Sequence, residues 1–92
     1  MIQLKAFGPN LVKVVYLLAS DSPRGAFYTI WIERHSGGFR VCKESGGGAK
    51  VWQRWTWDFE SLDEAEGLFK KRVSDKTNPK HPKRKYRLVY GA

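Results

Sequence analysis

Cysteine is nearly absent from this 92-residue chain: Cys42 stands alone. That excludes an intramolecular disulfide and argues against a small secreted scaffold, because domains of this size in oxidising compartments are commonly stapled by paired cysteines. Long apolar runs are missing as well. The longest, near Val14–Ala19, falls far short of the roughly 20 residues that span a bilayer. Met1-Ile2-Gln3-Leu4-Lys5-Ala6-Phe7-Gly8-Pro9 has no extended apolar core of the kind a secretory leader carries. The expectation is a soluble cytoplasmic protein that does not engage a membrane.

Histidine is scarce too. His35 and His81 are isolated beside turn residues, and no Cys/His/Asp cluster has metal-ligand spacing. Cys42 falls mid-strand, where a packed, unreactive thiol is the usual case. Ser45-Gly46-Gly47-Gly48 could offer backbone N–H groups to a phosphate. No Gly-Lys-Ser/Thr follows it, however, and the next segment reads as a strand, so it is not a nucleotide-binding P-loop. It is expected to be a mobile hairpin. With no nucleophile–base pair in view, the chain is expected to be non-enzymatic, without cofactor or metal.

What the chain does have is charge at one end. Up to residue 69, eight Lys/Arg meet eight Asp/Glu; from residue 70 onward nine stand against Asp75 alone, which is the whole net charge of +8. A neutral body with a basic end is the electrostatic footprint of a polyanion-binding surface. Aromatic residues are also plentiful. Trp31, Trp52, Trp55 and Trp57, with five Phe and four Tyr, provide large apolar areas for one small core, enough for a single domain over residues 1–92.

The pattern of residues predicts five strands and a helix. Leu11–Leu18 and Ala26–Arg34 are rich in β-branched and aromatic residues, and the second is apolar on both faces, as expected of a central strand. Ser36-Gly37-Gly38 reads as a hairpin turn, Phe39–Lys43 as a short strand, and Lys50–Phe59 as the next. In that last strand Val51, Gln53, Trp55, Trp57 and Phe59 form the better core face; Trp52, Arg54, Thr56 and Asp58 take the other. Ser61 with Glu64 is a capping-box signature, and Leu62, Ala65, Phe69 and Val73, with Leu68 beside them, make an apolar helical stripe. The helix is expected to fray near Lys76-Thr77-Asn78, ahead of a basic, proline-containing loop over residues 79–85 and a final strand, Tyr86–Tyr90. Residues 1–10 are left as an extension or a short strand. The fold class is α+β, a small antiparallel sheet packed against one helix.

In this order the elements resemble a WGR domain, the module known from poly(ADP-ribose) polymerases and from free-standing bacterial proteins. The resemblance covers about residues 10–90. It rests on Phe27-Tyr28-Thr29-Ile30-Trp31, on the hairpin into Phe39-Arg40-Val41, and on a Gly-rich turn. The helix beginning Ser61-Leu62-Asp63-Glu64-Ala65 and running into Lys76-Thr77-Asn78 completes it. It implies a WGR-like fold. Where that family carries Trp-Gly-Arg, this chain has Lys43-Glu44-Ser45-Gly46-Gly47-Gly48. The side chains through which the polymerase domain contacts DNA are therefore missing, and only the turn glycine carries over.

The expected function is a monomeric nucleic-acid-binding module, DNA ahead of RNA, that contacts phosphates rather than reading bases. Lys70, Lys71, Lys76, Lys80, Lys83, Arg84, Lys85 and Arg87 would supply the charge, with Arg54 and Trp52 as further contacts. The bland alternative for the basic residues is a solvated helix face and tail. For Trp55 and Trp57 the core is the preferred place, and Trp52 is evenly poised between a sheet-edge packing role and a stacking surface. The rival function is a protein-interaction module whose basic end docks an acidic partner.

Overall fold

The computed structural model describes residues 10–19, 21–78, 80 and 86–91. Among the described residues there are five strands, β1 (Leu11–Ala19), β2 (Phe27–His35), β3 (Gly38–Gly47), β4 (Lys50–Phe59) and β5 (Tyr86–Gly91), with one helix, α1 (Leu62–Thr77), between the last two. They form a single antiparallel sheet in the order β4-β3-β2-β1-β5. The first four strands pair in sequence as a meander. The chain then leaves β4 at one edge and returns at the other, where β5 pairs with β1. α1 is the link that makes this crossing, so it lies against one face of the sheet.

The α+β class and the element order expected from the sequence are therefore found. β2 is central, and Tyr28, Ile30 and Ile32 on one face and Thr29 and Trp31 on the other are all buried. The helix face holds the main core, in which Leu17, Tyr28, Ile30, Ile32 and Val41 meet Ala65 and Phe69 of α1 and Tyr86 of β5. Leu62, Leu68 and Val73 flank it, completing the apolar stripe read from the sequence. A smaller cluster, Val14, Trp31 and Cys42 with Leu11 against it, occupies the opposite face. Ser61 caps α1 as its sequence signature implies: its Oγ accepts from the Glu64 N–H at 3.2 Å, and its hydroxyl donates to Glu64 Oε1 at 3.1 Å. Asp63 and Glu64 in the first turn and Lys76 in the last match the helix dipole.

Two expectations need correction. The Gly-rich segment is not a loose hairpin, since Ser45, Gly46 and Gly47 all belong to β3 and only Gly48 and Ala49 turn. A side chain at Gly46 would run into the Lys50 carbonyl, so close strand approach, not looseness, calls for glycine there. Gly48 and Ala49 have φ of 57° and 68°, the left-handed pair that matches hairpin twist. The second correction concerns the core face of β4. Trp57 and Phe59 are partly buried against the core, but Val51, Gln53 and Trp55 are exposed, Trp55 by 58%. β4 is an edge strand, and α1 starts beside its Phe59 end and crosses over β3 and β2, leaving the Trp55 end uncovered.

Candidate polyanion-binding surface

The residues expected to meet a polyanion divide among several environments. Lys70 and Lys71 are exposed on α1, Lys70 with Glu66 at 4.0 Å one turn back. Lys80 is exposed just past the helix, where its backbone N–H donates to Asn78 Oδ1 at 2.9 Å. Lys83, Arg84 and Lys85, with the rest of the proline-containing loop except Lys80, lie outside the described residues, as do residues 1–9. Arg87 is exposed on β5. Because Tyr86 points into the helix-side core, strand alternation turns Arg87 to the opposite face.

Arg54 and Trp52 stand on the far edge from Arg87. Arg54 Nε pairs with Glu44 Oε2 at 2.5 Å, and that carboxylate is almost fully buried. The guanidinium is thus engaged in neutralising a buried acid. Arg40, on the same face, is similarly tied to Asp58 at 2.8 Å and to His35 Nε2 at 2.8 Å, and it holds the Asp58 carboxyl below its ordinary value mainly through that hydrogen bond. At Trp52 the pairing steps from Ser45 opposite Gln53 to Gly46 opposite Val51, so Trp52 is the extra residue of a β-bulge. Its ring lies against Gly47, where a side chain would meet it at 2.8 Å, and it remains 46% exposed. The sheet therefore separates Arg54 and Arg87 from the lysines of α1, and Trp52 lies at the far β4 edge.

Lys76 is different. Its Nζ lies 5.1 Å from the Tyr28 ring centre and 5.6 Å from that of Tyr86, in the space between the end of α1 and the sheet. Two further cations meet it there. Lys43, only 6% exposed, reaches up from β3 to 5.4 Å from the same Tyr28 ring and donates to Gln53 Oε1 at 3.2 Å. Arg72, one turn before Lys76, lies over the Trp57 ring at 4.7 Å. Burial, and then the positive charges of Lys76 and Arg72, hold the Lys43 ammonium below its ordinary pKa. The Tyr28 hydroxyl sits among them, fully buried, with no close hydrogen-bond partner among the described residues and the Arg72 guanidinium as its nearest donor. Burial pushes this phenol up to about 12, against the opposing pull of the Arg72 charge.

Lys43 and Arg72 lie outside the set of contacts expected from the sequence. A signal for Lys43 was nevertheless present, since it follows Phe39 and Val41 at strand spacing, so a lysine occupies a core-facing position. The Cys42 thiol is buried as expected. It donates to Glu33 Oε1 at 3.3 Å and is pushed up to about 12, chiefly by burial. Among the described residues no three His, Cys, Asp or Glu side chains are grouped to hold a metal ion, and no helix is long and apolar enough to cross a membrane. No protein-family model, curated protein or solved structure matches this chain.

Proposed function

We propose that this domain is a non-catalytic, cytoplasmic nucleic-acid-binding module that holds DNA mainly by its phosphates. The observation that carries this reading is the segregation of charge: every net positive charge of the chain falls after residue 69. Of that set, Lys70, Lys71, Arg72, Lys76 and Lys80 follow one another along the second half of α1 and just beyond it. Part of this gradient serves the helix dipole. The remainder, continuing through Lys83, Arg84, Lys85 and Arg87, exceeds what a helix end requires. The resemblance to WGR domains supports the same direction, although without the signature Trp and Arg it supports a phosphate-based mode.

The test is the salt dependence of binding to short duplex and single-stranded DNA. Each phosphate neutralised contributes a slope of about −0.9 in log K against log salt on duplex DNA. Wild type should show a steep slope, and a Lys83→Glu/Arg84→Glu/Lys85→Glu triple variant a flatter one with weaker binding at low salt. Absence of binding by wild type at low salt would overturn the reading.

One observation favours the second reading, a protein-interaction module. Trp55 and Val51 are exposed on the edge strand β4, whose outer hydrogen-bonding groups could pair with an added strand. Binding to an acidic protein that is lost on Trp55→Lys, with no steep salt dependence on DNA, would favour it.

A further inference from the structure

Two tryptophans of β4 share the helix-side face and stand in different surroundings. Trp57 packs against the core and carries the Arg72 guanidinium over its ring at 4.7 Å. Trp55, about 7 Å back along the same strand, is 58% exposed. An exposed apolar side chain is ordinary by itself and informative when the groups beside it match a ligand. Beside Trp55 the charge is positive. On the helix side of the β3–β4 pair the opposed residues run Val41 with Trp57, Lys43 with Trp55 and Ser45 with Gln53, and none is acidic. The carboxylates of these two strands, Glu44 and Asp58, fall on the other face, where Arg54 and Arg40 pair with them. In the second half of α1, Asp75 is the single acid against Lys70, Lys71, Arg72 and Lys76.

We propose that Trp55 is a stacking platform for an unpaired base of a single-stranded nucleic acid, whose phosphates follow Arg72 and the basic second half of α1. The platform rests on the nucleic-acid reading above and narrows it to single strands. A base inside a duplex has both faces covered by its neighbours, whereas an unpaired base has a face free for an indole. Such stacking tolerates any sequence, because every base has a π-face. A flat ring with cations beside it fits the alternation of base and phosphate along a strand. An acidic peptide would match the charge but not the plane.

The probes are oligo(dT) and a DNA duplex of the same length, titrated across salt concentrations against wild type, Trp55→Ala, Trp55→Phe and Lys70→Gln/Lys71→Gln. Stacking releases no counterion. Trp55→Ala should therefore weaken single-strand binding about fivefold or more at every salt concentration, with an unchanged slope and unchanged duplex binding. Lys70→Gln/Lys71→Gln should instead flatten the slope on both DNAs. Trp55→Phe keeps an aromatic face and should recover most of the single-strand affinity. A second measurement follows the indole itself: oligo(dT) should quench the tryptophan emission of wild type, and Trp55→Phe should lose most of that quenching.

Equal single-strand affinity of wild type and Trp55→Ala overturns the platform and leaves the phosphate reading in place, as does an equal loss on duplex and single strand. No binding of either DNA by wild type at low salt overturns both. A wild-type dimer in sedimentation that Trp55→Ala converts to monomer would give the ring to a second copy of the chain along the β4 edge. Binding of poly-glutamate that falls with Trp55→Ala as far as oligo(dT) binding does would give it to an acidic protein. Either result overturns the proposal.

Discussion

Tyr28 concentrates the cost of a polar atom in the core. Its ring fills the middle of the helix-side core, with the Tyr86 ring edge-on at 6.3 Å, while its hydroxyl has no close hydrogen-bond partner among the described residues. Removing an unsatisfied buried hydroxyl restores stability, so Tyr28→Phe should be more stable than wild type by about 1 kcal/mol at neutral pH in urea unfolding. The alkaline side gives a second readout. The folded chain holds this phenolic proton up to about 12, above the ordinary 10.0. The folded form therefore binds the proton more tightly than the unfolded one. That contribution is complete below about pH 10 and is lost as pH rises toward 12. Wild type should lose stability over that window more steeply than Tyr28→Phe. Tyr16, whose phenol burial also raises, leaves a residual slope in the variant.

At the scale of elements, the β3–β4 hairpin decides more than its glycine content suggests. Gly48 and Ala49 both adopt left-handed φ, and an alanine there is strained because its Cβ crowds the backbone. Ala49→Gly should raise the urea midpoint by about 1 kcal/mol equivalent with an unchanged m-value. A loss of stability instead would mean the hairpin does not hold this turn. The same hairpin is tied to the β1–β2 loop by the Gly48 N–H donating to the Arg24 carbonyl at 2.7 Å. Together with the bulge at Trp52, that contact fixes this end of the sheet in a shape simple strand alternation does not give. The helix is the contrary case, because its cap, dipole and stripe are all local and were all legible.

At the scale of the whole molecule, side chains on both faces are buried at the centre of the sheet, while most of β4 at its edge is exposed. Cys42 reports on this directly. It is buried on the face away from α1, in mid-sheet, with Val14 and Trp31 around it, and burial holds its thiol protonated up to about 12. A thiol reagent at pH 8 should therefore label it only when the sheet opens. Labelling should run about 10³-fold or more below the rate in denaturant and follow global stability across variants. Labelling near the unfolded rate would show that this face opens independently of the helix-side core. The charge asymmetry is also a property of the whole. Arg54 and Arg40 are occupied by acids of their own face, and Arg87 lies across the sheet from α1, so the cations that gather in one place are those of the helix and Lys43.

The sequence by itself determined the order of elements, the central place of β2, the buried Cys42 and the capped helix with its basic second half. Each follows from contacts a few residues apart or from hydrophobic periodicity, which local sequence encodes. It also determined where the net charge lies. Only the tertiary structure decided which β4 residues are covered, because the crossing of α1 to the opposite edge leaves Trp55 bare while shielding Trp57. It alone brought Lys43, 29 residues before Arg72 in the chain, under the same helix end and onto the ring of Tyr28. Such a meeting depends on strand order and helix path together, and neither is written in any one segment.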